Sequence, residues 1–304
     1  MSGLRQILFV LGLGLFWGAA PALNKMLGLA GVPLIHILTA AGFGVGFGLL
    51  AIQALSGVRF KATRPQLLYG LGCAAMLLAP WAISIVVVRH VSVALVALIA
   101  STTPMCTYAL ALAFGRELFS PVRLLALVIG LGSCAVIIVS RLELNLATVD
   151  SWLWLTLSLP LLYAVYDFFA ASAWPKDMPV LNAGIIESFI TGLLCLPLVL
   201  FFEPVNGAGM GIHATGYALL AVTVLLWIIE RICFFNMIQL FGPVTTGQSV
   251  YVSTPASVLF GIALFAEPAD LWLAVSLALL LFALWLNDRA TRPQTSPAPA
   301  PATP

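Results

Sequence analysis

The sequence predicts an all-α integral membrane protein: ten transmembrane helices in two inverted five-helix repeats, with both termini cytoplasmic. Three observations carry that prediction. First, 62% of the 304 residues are hydrophobic and only 8% are charged, with a mean hydropathy of +1.11. A soluble domain carries about 25% charged residues, so this chain has too little polar surface to face water. Second, ten apolar segments can be counted, each long enough to cross a hydrocarbon core of roughly 30 Å. Third, the fourth and ninth segments share a proline-centred pattern. The composition excludes a soluble enzyme, a nucleic-acid binder and a disordered chain.

The first segment, 6–27, follows Arg5 and contains Ala20-Pro21-Ala22, as a cleaved leader would. Its apolar run continues to Leu29, so it reads as a membrane helix. The turn Gly31-Val32-Pro33 opens the second, 34–55. That segment carries Gly42, Gly44, Gly46 and Gly48, two overlapping GxxxG pairs that let helices approach closely. Packing within the chain is the first use for them and a dimer face the second. The third and fourth segments are 66–88 and 91–114, and Ser120-Pro121 opens the fifth, 121–140. The sixth, 152–173, closes at Pro175 to Pro179, and the seventh, 182–202, at Glu203-Pro204. The eighth, 215–239, is expected to end before Gly242-Pro243, followed by 244–265 and 270–287. None reads as the alternating ten-residue strands of a barrel. The Pro/Ala-rich stretch 291–304 is expected to be disordered.

Basic residues set the orientation. With the N-terminus inside, nine of the 13 Lys and Arg fall on inner segments, and Lys25, Arg89 and Arg141 fall at outer ends. Arg231 lies within a span. The five cysteines (Cys73, Cys106, Cys134, Cys195, Cys233) sit in apolar stretches without metal-ligand spacing. The three histidines (His36, His90, His213) are not clustered. No metal site, cofactor or nucleotide-binding motif is expected.

The fourth segment reads Ser101-Thr102-Thr103-Pro104 with Phe114 ten residues after the proline and Glu117 at thirteen. The ninth reads Val252-Ser253-Thr254-Pro255 with Phe265 ten after and Glu267 at twelve. One more helix follows each, which divides the chain into 1–145, 146–290 and the tail 291–304. Five is odd, so the halves lie in opposite senses, the pattern of secondary transporters that bind substrate near the midplane. On this reading Pro104 and Pro255 break their helices and let them bend.

On Phe16-Trp17-Gly18, the run Ser92-Val93-Ala94-Leu95-Val96 through Pro104 to Glu117, Gly130-x-Gly132, and the stretch Pro255 to Glu267, the chain resembles the EamA-type members of the drug/metabolite transporter superfamily. The resemblance covers both halves. It implies a ten-helix inverted-repeat fold, alternating access, a central cavity lined by helices 1, 3, 4, 6, 8 and 9, and export of small metabolites such as amino acids. Glu230-Arg231 lies outside the pattern.

Charge inside a span costs roughly 2.5–3.5 kcal/mol at a helix centre. Asp167, Glu187, Glu230 and Arg231 therefore should face the bundle interior. Neighbours on a helix point about 100° apart, so Glu230 is not expected to be the main partner of Arg231. Asp167 is the first candidate and Glu187 the second. A static ion pair and a cavity charge that meets substrate or a coupling proton both fit.

Aromatic residues share faces with polar ones: Trp17 with Asn24 and Lys25, Trp81 with Ser84, Tyr163 with Tyr166 and Asp167, Trp227 with Glu230 and Arg231, and Gln248 with Tyr251. Tyr108 joins them from the fourth segment. Such walls with a few convergent polar groups describe a small-molecule pocket, although packing explains many membrane aromatics. Lys25 could also be a snorkelling lysine. The expected protein is a bacterial inner-membrane exporter, not an enzyme, acting as a monomer or weak homodimer. Its partners are membrane lipid and a small amphipathic metabolite, an amino acid or analogue, and no nucleic acid. A lipid-headgroup flippase and a non-transporting sensor or scaffold are the alternatives.

Overall fold

A computed structural model describes residues 2–57, 59–115, 118–141, 151–206 and 214–291 of the chain. Within these residues it is helical, with nine helices long and apolar enough to cross a membrane and a tenth, shorter apolar helix at Val250–Phe265. We number them α1 (Ser2–Leu29), α2 (Leu34–Leu55), α3 (Arg64–Val87), α4 (Val93–Ala113), α5 (Pro121–Arg141), α6 (Ser151–Ser172), α7 (Val180–Asn206), α8 (Ala214–Gly247), α9 (Val250–Phe265) and α10 (Leu271–Thr291). Glu117, Arg116, His213 and the 292–304 tail lie outside the described residues.

Most ends follow the sequence signals. Thr63 and Gln66 form a capping box at the start of α3, with Pro65 in the first turn. Ser92 accepts from the Leu95 N–H at the start of α4. Two expected turns are not turns. Glu203-Pro204 falls inside α7, and Gly242-Pro243 falls inside α8, which runs on to Gly247. Within the membrane a helix keeps every backbone group satisfied, and a proline near its end costs little against that demand.

Two helices are irregular. The middle of α2, Ala40–Gly44, is a π-helical turn. It lies where α2 crosses α7: a side chain on Gly42 would meet the Gly192 backbone, and Gly44, Gly46 and Gly48 are covered by Val224, Phe189 and Ile228. The glycine face of α2 is therefore used inside the chain, against α7 and α8. Gly14 and Gly18 do the same for α1 against Val252, Ser253 and Ala256 of α9.

The other irregular helix is α4, broken into Val93–Ala100 and Thr103–Ala113. Three hydroxyls cover carbonyls near the break: Ser101 donates to Ala97 at 2.6 Å, Thr102 to Ile99 at 2.8 Å and Thr103 to Ala100 at 2.6 Å. Pro104 stands in the first turn of the second piece, where its missing N–H is no loss. The matching expectation for α9 is corrected. Pro255 lies within a continuous helix. Only about one turn precedes it, so its ring has little helix to disrupt.

The packing partners exchange when each helix is replaced by the one five places along. Thus α1 packs on α9 and α6 on α4; α3 packs on α6 and α8 on α1; α3 packs on α7 and α8 on α2. The pairs α5·α10, α2·α7 and α4·α9 map onto themselves. Leucine, phenylalanine and tryptophan side chains such as Leu15, Trp154, Leu225, Leu259 and Trp285 stand exposed on the outside. In water that surface would be a liability; in lipid it is a matched solvent.

Candidate functional site

On α8, Trp227, Glu230, Arg231 and Phe234 stand at helical spacing on one face. On α6, Tyr163, Tyr166 and Asp167 do likewise. These faces, with parts of α1, α3, α4, α5, α9 and α10, enclose a cavity of about 630 Å³, within the size range of small-molecule sites. Of the twelve predicted binding residues, Trp17, Asn24, Trp81, Tyr108, Tyr163, Asp167, Trp227, Glu230, Arg231, Gln248 and Tyr251 line it, as does Pro104. Lys25 and Pro255 do not.

Lys25 instead pairs with Glu267 at 2.9 Å and lies 4.7 Å above the Phe265 ring. Glu267 also accepts from the Val93 N–H at 2.7 Å and the Ala94 N–H at 3.0 Å, so its carboxylate caps α4. The α1 stripe through Trp17 and Asn24 leaves Lys25 as either a snorkelling lysine or a cavity residue, and its position near the end of the helix brings it instead to the α9–α10 link. Its charge serves packing there.

The charges inside the bundle form a chain across four helices. Trp17 of α1 donates its indole N–H to Glu230 at 2.9 Å. The Glu230 carboxylate lies 3.4 Å from Arg231 Nε. Arg231 donates to the Tyr166 hydroxyl at 3.1 Å, and that hydroxyl donates to Glu187 of α7 at 3.0 Å. A second Arg231 contact, at 3.6 Å, reaches Glu187 directly. The first-choice partner, Asp167, is thus corrected to Glu187, and Glu230 does pair with its neighbour. Both side chains of that pair are long enough to curl together along the helix surface, which a count of Cα directions does not capture. Desolvated charges must be paired and hydrogen-bonded; the network pairs each charge, while Glu187 Oε2 is held by the 3.6 Å ion pair alone and makes no hydrogen bond.

Asp167, one residue after Tyr166, stays out of the network. It lines the cavity and feels the Arg231 charge through space. Around it the walls are aromatic: Trp81 meets Trp227 edge-on at 5.2 Å, and Trp17 and Tyr166 each pack on Phe234. The lining reaches the ends of α4, α6, α8 and α10 through a second polar group, in which Tyr108 and Gln248 were expected and Arg123, Asn287 and Asp288 were not. There Arg123 lies 3.7 Å above the Tyr108 ring and donates to Asn287 at 3.4 Å, and Gln248 donates to Asp288 at 2.9 Å. Arg123 and Asp288 sit in terminal turns, where sequence alone reads only an orientation signal. Between the two clusters, the Ser101 and Thr254 hydroxyls bond to each other and join the break in α4 to α9. Among the described residues no group of His, Cys, Asp and Glu could hold a metal ion.

Residues 4–139, which take in α1 to α4 and nearly all of α5, match the EamA-like transporter family. The likeness to EamA-like transporters is thus one of the N-terminal half of the chain. With nine helices long and apolar enough to cross a membrane among the described residues, the chain reads as a multi-pass membrane protein. No curated protein matches this chain. A solved crystal structure, described only as that of a protein, is similar to it with a TM-score of 0.67 at 17% identity, over 96% of this chain and 99% of that one. That likeness extends the fold beyond the family match to both halves.

Proposed function

We propose that this EamA-like protein is a secondary transporter of the bacterial inner membrane that exports a small amphipathic metabolite, an amino acid or an analogue of one. The observation that carries the reading is the cavity of about 630 Å³, in which residues from α1, α3, α4, α6, α8 and α9 bring aromatic walls and intramembrane charge together. Ionisable groups at membrane depth usually mark a transport path. The swap-symmetric packing and a family match that ends in α5 support two inverted five-helix units, 1–145 and 146–290, with both termini cytoplasmic. The hydroxyl-capped break before Pro104 supplies the flexible point for alternating access. The roles follow the geometry. Trp17, Trp81, Tyr163, Trp227 and Tyr251 hold the apolar part, and Asp167 receives an ammonium group or a coupling proton. Arg231 is a scaffold cation.

The test is flux into proteoliposomes and everted vesicles with a panel of amino acids and small amines. Saturable flux that is lost when Trp81 and Trp227 are both replaced by alanine supports the reading. No saturable flux of any compound, with folded protein, overturns it.

A further inference from the structure

Five charged side chains line the cavity: Asp167, Glu230, Arg231, Arg123 and Asp288. Four are engaged. Arg231 is held by Glu187, Glu230 and Tyr166, and Glu230 also by the Trp17 indole. Arg123 is stacked on Tyr108 and bonded to Asn287, and Asp288 accepts from Gln248. Asp167 has no hydrogen bond or ion pair to any described residue. The inner cluster thus carries three carboxyl groups against one guanidinium. Its cation is committed to the scaffold, and its one uncommitted group is a carboxylate in a cavity that indole and phenol rings also line. That is the environment a desolvated organic ammonium seeks, since the ring faces and the carboxylate attract it together. A substrate carboxylate would meet the opposite: no free cation and repulsion from Asp167.

Resting on the reading of this cavity as the transport site, we propose that its ligand class is a monocationic aromatic or lipophilic amine, recognised at Asp167, and that the carboxylate of an amino acid opposes binding. The amine is what remains when an aromatic amino acid loses its carboxyl group.

The test compares phenethylamine with L-phenylalanine, which share ring and ammonium and differ by the carboxylate. Binding to the purified full-length protein is followed by calorimetry and by quenching of its own tryptophan fluorescence. Phenethylamine is expected to bind at least tenfold more tightly than phenylalanine. Asp167→Asn should weaken the amine at least tenfold while Asp167→Glu retains it, each checked by thermal stability in detergent. Equal or tighter binding of phenylalanine overturns the proposal, as does undiminished amine binding by a folded Asp167→Asn protein. The amine-to-amino-acid ratio is measured on the unaltered protein, so it decides even if the variants fail to fold. Tight amine binding without flux would overturn the transport reading alone. Phenylalanine flux without amine preference would overturn this proposal alone.

Discussion

The Glu267 carboxylate meets the Lys25 ammonium at 2.9 Å while its two oxygens accept the Val93 and Ala94 N–H groups. One side chain thereby ties the link after α9 to the end of α1 and the start of α4. It does so on the face opposite the Arg123 cluster, because α1 ends there and α4 begins there. The two partners are unequal. Removing Lys25 leaves Glu267 its backbone donors, whereas removing Glu267 orphans two N–H groups and a cation. Glu267→Ala should therefore lower thermal stability by on the order of 1–3 kcal/mol for each orphaned N–H, and Lys25→Ala by clearly less. Paired melting curves in detergent check this, and equal losses would count against the clamp.

Arg231→Ala should behave as a folding variant. It leaves Glu187 and Glu230 buried without their cation, and breaking a buried pair costs about 3–5 kcal/mol. Adding Glu187→Gln should recover part of the loss, because one unpaired charge disappears. The measurement is the yield of monodisperse protein and its melting temperature. A stable Arg231→Ala protein would show that the network is not structural.

At Gly42, a Cβ would meet the Gly192 backbone, which cannot rotate aside. Gly42→Ala should force α2 and α7 apart and cost roughly 1–3 kcal/mol. Gly132 is exposed on α5 with open space around it. There the same change should stabilise by about 0.5–1 kcal/mol, since alanine loses less chain entropy in a helix. Reversal of that order would show that the α2–α7 contact is looser than described.

Thr254→Val keeps the volume of the side chain and removes its hydroxyl from Ser101 and from the Val250 carbonyl. Stability should fall by about 1 kcal/mol, and flux should change more than stability if the α4–α9 junction is where the transporter bends. Flux unchanged within error would place the bend elsewhere.

Apolar length and turn chemistry made the helices legible in the sequence, and face-sharing aromatics made most of the cavity legible. Helical spacing is local, so Trp227, Glu230 and Arg231 could be placed on one face without knowing the neighbour. What lay across that face was not readable. Asp167 of α6 ranked ahead of Glu187 of α7 as the partner of Arg231, and tertiary packing reversed that order. Lys25 illustrates the same limit, since its partner is 242 residues away. The π turn of α2 and the persistence of α8 through Gly242-Pro243 also escaped, because each depends on what the membrane and the crossing helix demand of the backbone.

The chain from Trp17 through Glu230, Arg231 and Tyr166 to Glu187 has a consequence for how the sequence can change over time. No member can be exchanged alone without stranding a charge or a hydroxyl in the dry interior. These positions should therefore drift as a set, with related chains keeping all of the charges or replacing them together by apolar residues. Asp167 shares no hydrogen bond or ion pair with that set, so it should vary with whatever the cavity carries.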